Sequence, residues 1–193
     1  MSKIGKKPIS IPQGITVKSE NGKVTIQGLK TKKEIYLDPK IYNVIVKDNK
    51  ILVEPSDKKN INKLTWGLHR SLINNSIIGV SKGFEKDLKL TGVGFRANLQ
   101  GKKIIFQLGF SHDVHYEIPE GIEITVDKQT SIKIKGSDKE LVGKVCAEIK
   151  FLKPVEPYKG KGITSSDQYI LRKEGKKKWL AQVLKDKKEF VLN

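Results

Sequence analysis

The sequence has few of the residues that support disulfide frameworks, membrane spans or arginine-rich surfaces. Its 193 residues include one cysteine, Cys146, which excludes an internal disulfide and is consistent with a reducing compartment. No apolar run approaches the roughly 20 residues that cross a bilayer, and the basic N-terminus lacks the apolar segment of a secretory signal. The helical segments carry mixed charge, which disfavours a membrane-surface role. We therefore expect no membrane partner.

Catalytic and metal-binding patterns are also missing. The segment Gly92-Val93-Gly94 lacks the third glycine and the following helix of a dinucleotide-binding turn. His112 and His115 are three residues apart, so on a strand they point to opposite faces, and no cysteine or third histidine lies nearby. We therefore expect no enzyme activity, no cofactor, no metal and no small-molecule substrate.

Positive charge is what the sequence has in excess. There are 38 basic and 21 acidic residues, a formal net charge of +17. Such a balance indicates a polyanionic partner, nucleic acid first and an acidic membrane surface second. Only three of the basic residues are arginines, and lysine neutralises phosphate without the planar fork that reads base edges. This favours recognition of the RNA backbone and shape, although an AT-rich genome would produce the same lysine excess.

The first half of the chain has the pattern of an α+β unit. Residues 1–14 read as an extended basic arm. Alternating strands follow, with hairpin turns at residues 21–22 and 48–49. A helix is predicted from Lys58 to Ile73, after the N-cap candidates Ser56 and Asp57. Its predicted buried stripe consists of Ile61, Leu64, Leu68 and Leu72.

The second half repeats this order at an offset of about 80 residues. Strands precede a hairpin, and a Ser137–Glu140 capping box precedes a second helix. The segment Ser56-Asp57-Lys58 thus corresponds to Ser137-Asp138-Lys139. We predict an α+β fold of two tandem duplicated domains, each with small antiparallel sheets and one helix around a single core. Two unrelated α+β domains could also share this order of elements.

The boundary is expected near residues 80–83. This gives a first domain at 1–82, a second at 83–178 that includes a basic C-terminal segment, and an extension at 179–193. The uncharged end of the first helix has no equivalent of that basic segment. If one half holds a polyanion, we expect it to be the second.

The strongest candidate site is the basic stretch from Lys153 to Lys178. It contains eight basic and three acidic residues, and Pro154 and Pro157 prevent the preceding helix from continuing. Its glycines allow close approach of the backbone to a partner, as a phosphate-binding loop requires. A solvated lysine-rich linker is the alternative. The arm and the segment 92–96 combine charge and glycine or proline in the same way, and Phe95 there could contact a base or lie in the core.

Several long segments, in order, resemble one family, that of bacterial-type large-subunit ribosomal protein six, the L-six family. They are SKIGKKPI at the start, LTWGLHRSLINNSIIGVSKGF at 64–84, LTGVGFRA at 90–97, LGFSH at 108–112, PEGI at 119–122, KPVEPYKGKGI at 153–163 and RKEGKKK at 172–178. The resemblance implies two similar domains and binding to large-subunit, 23S-type ribosomal RNA near the elongation-factor-binding region, at the base of the acidic stalk. It also implies neighbouring ribosomal proteins as partners, and a location in the cytoplasmic ribosome or in an organellar one.

The resemblance further implies that the second domain and its C-terminal segment make most of the RNA contact. The matching positions, together with three lysines of the arm, give the expected RNA-binding residues: Lys3, Lys6, Lys7, Arg96, Lys153, Tyr158, Lys159, Lys161, Arg172, Lys173, Lys176 and Lys177. The family usually has basic and aromatic residues where this chain has Thr164-Ser165-Ser166, and a proline where it has Asp113. The resemblance therefore does not carry RNA contact over to 164–166. The competing interpretations are an RNA-binding module outside the ribosome and an enzyme that acts on RNA.

Overall fold

Four small antiparallel sheets and two helices make up the part of the chain that the computed structural model describes, residues 2–28, 31–47, 49–56 and 63–175. The first half contains β1 (Ile9–Ser10), β2 (Thr16–Glu20), β3 (Lys23–Gln27), β4 (Lys32–Tyr36), β5 (Tyr42–Lys47), β6 (Lys50–Pro55) and α1 (Lys63–Ser81). The second contains β7 (Phe84–Thr91), β8 (Arg96–Gln100), β9 (Lys103–Gln107), β10 (Val114–Glu117), β11 (Ile122–Asp127), β12 (Ser131–Gly136), α2 (Lys139–Leu152) and β13 (Gly162–Ser165). The predicted α+β fold class is confirmed.

The same sheet arrangement occurs in both halves. Each has a three-stranded meander, β2-β3-β4 and β8-β9-β10, and a second sheet with strand order β1-β6-β5 or β7-β12-β11. Ile9 pairs with Ile51 in the first half, and Leu88 pairs with Ile132 at the corresponding place in the second. Strand β13 is an addition to the second half, where it pairs with the outer side of β7.

Two separate hydrophobic cores are formed, one from each half. The first is built by β1, both sheets and α1: Ile9, Val24, Ile26, Leu37, Tyr42, Ile51, Val53, Trp66, Ile73 and Ile77. The second includes residues from Leu88 to Ile163, among them Phe95, Phe106, Leu108, Ile132, Ile134, Cys146 and Ile149. Cys146 is free and buried in it. The division at residue 82 and the separate status of 179–193 stay predictions, and residues 179–193 lie outside the described part.

Helix α1 differs from its prediction in both extent and buried face. It continues to Ser81 instead of ending at Ile73, because Ile77 and Val80 extend its contact with the first core. Leu68 and Leu72 of the predicted stripe are exposed. Trp66 lies on the buried face instead, and its indole Nε1–H donates a hydrogen bond to the carbonyl of Val53. The predicted start at Lys58, the cap Asp57 and the side chains of Ile61 and Leu64 lie outside the described residues.

The N-terminal segment is not an extended arm. Residues 3–7 form a turn in which the Lys7 amide donates to the Ile4 carbonyl, at 3.1 Å. Gly5 lies against the ring of Trp66, so that a Cβ there would overlap the indole. Ile9 is then buried in the first core as part of β1. The apolar residues of the segment hold it against α1. The prolines and lysines that dominate its composition had suggested an extended arm instead.

Helix α2 is capped by Asp138 and not by Ser137. The Asp138 carboxylate accepts a hydrogen bond from the Glu140 amide at 3.1 Å and also pairs with Lys33 of the first half, at 2.8 Å. Burial raises the pKa of Asp138, but the Lys33 ammonium and the amide hydrogen bonds outweigh it and lower that pKa overall. Asp138 therefore serves both the helix and the contact between the halves.

The two halves of the chain also approach each other closely at Gly79 of α1. A Cβ on Gly79 would overlap the backbone carbonyl oxygen of Ser137 and lie 3.1 Å from the ring of Phe84. Only a glycine allows the two backbones to approach this closely. The residue predicted to lie beyond the helix is thus inside it, where it allows a close contact between the halves.

We predict that Gly79→Ala destabilises the chain by about 1–3 kcal/mol, because the added methyl group forces the halves apart. Urea unfolding measures the change. Gly143→Ala is the matched control: Gly143 also lies in a helix, but its Cβ would meet nothing within 4 Å. That variant should gain about 0.5–1 kcal/mol from the better helix propensity of alanine. Equal effects of the two substitutions would contradict the close contact.

A second prediction concerns His69 on α1. Its ring lies 4.7 Å from that of Tyr42, and its Nδ1 atom is buried with no hydrogen-bond partner among the described residues. Burial lowers the pKa of His69 below its ordinary value. The unfolded chain then binds the proton more readily than the folded chain. The free energy of unfolding should therefore keep its full value above about pH 6.5 and decrease as the pH falls below it.

Urea unfolding at about pH 7.5 and about pH 5.5 tests this linkage. The wild-type chain should lose more stability between the two values than His69→Gln, which has no imidazole to protonate. His115→Gln removes an exposed histidine and should behave like the wild type. The same loss in all three chains would rule out His69 as the source.

Candidate nucleic-acid interface

The stretch from Lys153 to Lys178 is not a loop throughout. Its middle contains β13, which pairs with β7 so that Ile163 lies opposite Leu90. Ile163 is fully buried, and Thr164 is buried with its hydroxyl donating to the carbonyl of Lys89, at 3.3 Å. Thr164 therefore faces the protein, whereas Ser166 is exposed, and the expectation about RNA contacts at 164–166 stays a prediction.

The basic loop, residues 153–163, runs from the end of α2 into the start of β13 and is closed by its own hydrogen bonds. Its ends are joined where the Ile163 amide donates to the Lys153 carbonyl, at 3.0 Å. Further out, the Glu156 amide donates to the Lys161 carbonyl at 2.8 Å, and the Gly160 amide to the Glu156 carbonyl at 3.0 Å. Four residues, 157–160, thus form a tip whose backbone is fixed by its own hydrogen bonds. Such a tip loses little conformational entropy on binding.

Two glycines allow the loop to close. Gly162 has a φ of 141°, and a Cβ there would lie 2.7 Å from both the Pro154 carbonyl oxygen and the Val155 Cα. Gly160 has a φ of 70°, and a Cβ there would lie 3.3 Å from the guanidinium of Arg172. Both positions therefore favour glycine for their backbone conformation, and Gly162 also needs it for space.

The segment after β13 returns to the basic loop. The Lys173 amide donates to the Pro157 carbonyl at 2.9 Å, and the Arg172 guanidinium lies over Gly160. Folding therefore brings together four basic side chains that are up to 14 positions apart in the sequence: Lys159, Lys161, Arg172 and Lys173. All four are exposed, as is Tyr158 at the tip.

Three other lysines of the second half have acidic partners, which these basic residues lack in the part of the chain that the structure describes. Lys103, Lys133 and Lys135 form ion pairs with Glu117, Asp127 and Glu85, at 2.7, 3.9 and 3.1 Å. Within the described ranges, none of Lys153, Lys159, Lys161, Arg172 and Lys173 forms an ion pair. Their charge is available to an external anion.

Phe95 lies in the core and not at the surface. It is 8% exposed, and Gly92 and Gly109 both lie against its ring. The alternative of a base contact by Phe95 is thereby excluded. Arg96, the next residue, begins β8 and is exposed. Packing on Phe95 also brings the 92–96 turn next to the turn that follows β9.

That second turn carries aromatic residues that are absent from the set of expected RNA-binding residues. Phe110 and His112 are nearly parallel, with ring centroids 6.1 Å apart and planes inclined by 20°. The Lys153 Nζ lies 4.2 Å from the centroid of Phe110, a cation–π geometry that joins this turn to the basic loop. We call Phe110, His112 and Lys153 the Phe110 platform.

One signal in the sequence could have indicated this platform. Ile104 and Phe106 of β9 and Leu108 just after it alternate inward, and continued alternation would place Phe110 inside as well. Gly109, however, has a φ of 72° and turns the chain, so Phe110 emerges 44% exposed. A glycine directly before an aromatic residue at a strand end predicts such an exit.

The remaining expected residues have other positions. Lys3, Lys6 and Lys7 are exposed but belong to the turn that packs on α1 and the first core. Lys176 and Lys177 lie outside the described residues. In the described part of the chain, no three His, Cys, Asp or Glu side chains are grouped to hold a metal, and no helix is long and apolar enough to span a membrane.

Comparison with known proteins identifies the family. The model of the family "Ribosomal protein L6" matches residues 91–166, from the end of β7 to just beyond β13. A protein of a Nitratiruptor species named "Large ribosomal subunit protein uL6" is 49% identical over 176 residues, which are 91% of this chain and 98% of the relative. This chain belongs to the ribosomal protein L6 family. The resemblance drawn from the sequence segments is confirmed.

Other family members agree over the same extent. A protein of the same name from Beijerinckia indica subsp. indica is 45% identical over 178 residues, 92% of this chain and 100% of the relative. Another, from Campylobacter jejuni, is 47% identical over 176 residues, with 91% and 98% covered. The segment matched by the family model contains the Phe110 platform and the whole basic loop.

The geometry of the basic loop gives a third prediction. Gly162→Ala should break the closure of the loop, because its Cβ cannot fit beside Pro154 and Val155. We expect a loss of about 1–3 kcal/mol in unfolding free energy and faster hydrogen exchange at the Glu156 and Ile163 amides. Gly175→Ala is the control, since its Cβ would meet nothing within 4 Å. Unchanged exchange at both amides would contradict the role of Gly162.

Proposed function

We propose that this chain is a structural constituent of the large ribosomal subunit that binds large-subunit ribosomal RNA through its second half and performs no catalysis. One observation carries the proposal: the fold gathers Lys159, Lys161, Arg172 and Lys173 around one fixed loop, without acidic partners among the described residues. The family supports it, since its members above are named as proteins of the large ribosomal subunit.

Charge neutralisation is the proposed source of affinity. RNA holds condensed counterions, and lysine or arginine side chains that contact phosphates release them. An ion-paired lysine would first have to give up its acidic partner, whereas the unpaired residues of the basic loop would not. The loop is also fixed by backbone hydrogen bonds, so it can select an RNA shape as well as a charge.

The proposed RNA-binding surface consists of the residues predicted from the sequence: Lys3, Lys6, Lys7, Arg96, Lys153, Tyr158, Lys159, Lys161, Arg172, Lys173, Lys176 and Lys177. Within this set, the residues of the basic loop with Arg172 and Lys173 form the centre. The three N-terminal lysines sit on the first core and would contact a different part of the RNA or a neighbouring ribosomal protein.

The finer parts of the proposal rest on the family resemblance. They are a site near the elongation-factor-binding region at the base of the acidic stalk, a 23S-type RNA and a role in translation. The proposal also includes the division of the chain into a first domain at 1–82, an RNA-binding domain at 83–178 and an extension at 179–193. Two cores on either side of residue 82 support that division.

The fourth prediction tests the loop charges. Lys159→Gln with Lys161→Gln should weaken binding to large-subunit ribosomal RNA and reduce the slope of log K against log salt by roughly 1.4–1.8, about 0.7–0.9 for each phosphate that is no longer neutralised. Filter binding over a salt series measures both quantities. The fold should be unaffected, because both side chains are exposed and only the Lys161 backbone takes part in the loop.

Lys133→Gln with Lys135→Gln is the matched control. It removes two charges from the same half, but these lysines are paired with Asp127 and Glu85. Its salt slope should remain that of the wild type. An equal reduction in both double variants would show that only net charge matters and would contradict a loop-centred interface. Wild-type chain that sediments only in free fractions, and not with large subunits, would favour an RNA-binding module outside the ribosome.

A further inference from the structure

The Phe110 platform has a chemistry that phosphate binding does not use. The phenyl ring of Phe110 has no group that binds phosphate, yet Phe110 and His112 are exposed beside the basic loop, with nearly parallel rings. We infer that the platform binds an unpaired base of the RNA by stacking, next to the phosphates held by the basic loop. The inference rests on the proposed function and adds a base contact to it.

Packing fixes the position of the platform. Gly109 lies against Phe95 of the second core, since a Cβ added to Gly109 would lie 3.4 Å from that ring. The φ of 72° at Gly109 sets the direction of the turn. On the other side, Lys153 holds its ammonium 4.2 Å from the centroid of Phe110. The backbone of Lys153 is bonded to Ile163 at the closure of the basic loop. Phe110 is thereby placed relative to the loop before any ligand arrives.

The side chains favour a nucleobase over an apolar protein side chain. A purely apolar partner would remove water from the Lys153 ammonium without replacing it, which is costly. A base attached to a phosphate backbone would instead place its flat face on a ring and its charge near the lysine. Stacking on aromatic side chains is how proteins commonly bind unpaired RNA bases.

A comparable aromatic residue in the first half shows the difference. Tyr36 on β4 is 74% exposed, and the Lys23 Nζ lies 5.4 Å from its ring centroid. That lysine, however, is paired with Glu34 at 2.6 Å, and the pairing raises the pKa of Lys23 and lowers that of Glu34. Tyr36 therefore has an exposed ring and a lysine but no unpaired positive charge. It serves as a matched control.

Phe110→Ala in the full chain tests the inference. We expect affinity for a large-subunit ribosomal RNA fragment, selected by protection with the wild-type chain, to fall about 5- to 150-fold. The salt slope should not change, because no charge is removed. Phe110→Tyr should keep the affinity and Tyr36→Ala should bind like the wild type. A thermal unfolding curve for each variant excludes loss of fold.

A double-mutant cycle identifies the base. Abasic sites are introduced one at a time at the unpaired positions of the fragment, and the Phe110→Ala effect should disappear at one of them. An effect that persists at every position, or an affinity equal to that of the wild type, would overturn the inference. So would normal RNA binding with reduced incorporation into large subunits, since the platform would then contact a protein. Absence of RNA binding by the wild-type chain would overturn the proposed function itself.

Discussion

The pairing of β13 with β7 is the interaction on which the candidate site depends. It places Ile163 opposite Leu90, and the burial of such an aliphatic side chain is worth about 1.5–3 kcal/mol. Because β13 lies in the middle of the basic stretch, this one strand fixes both flanks. The basic loop is held closed on one side, and the chain returns from the other to place Arg172 and Lys173 on the loop. Without β13 the same lysines would belong to a solvated linker.

The two halves share one architecture but differ in what is added to it. Both have a meander, a second sheet and a helix, and both build a separate core. Among the described residues, only the second half adds a strand at the free edge of its second sheet, beyond β7. An exposed sheet edge offers unpaired backbone groups, and here the chain covers that edge with its own basic segment. The surface proposed for RNA is therefore attached to a sheet edge that the duplicated architecture leaves open. The first half contacts the second through Gly79 and Lys33.

Charge and aromatic groups divide the proposed interface. Lysines without acidic partners in the described part of the chain supply affinity that depends on salt, while the rings of Phe110 and His112 supply contacts that do not. Lys153 takes part in both, since its backbone closes the basic loop and its ammonium lies over Phe110. Elsewhere in the second half, lysines such as Lys103 and Lys135 are paired with carboxylates. Ion pairs thus offset part of the net charge of +17, and none of those in the described ranges involves a basic residue of the basic loop.

The sequence by itself determined the class of fold, the hairpin turns such as Asn21-Gly22, the order of elements apart from β1 and β13, and the family. These follow from alternation, turn residues and local segments, which act over a few positions; Asn21 and Gly22 indeed have φ values of 46° and 78°. Only the tertiary structure decided which face of α1 is buried, that Asp138 and not Ser137 caps α2, and that Arg172 lies on Gly160. It also decided that Phe110 is exposed beside Lys153. Each of these depends on contacts between residues far apart in the chain, and no local pattern contains the position of the distant partner.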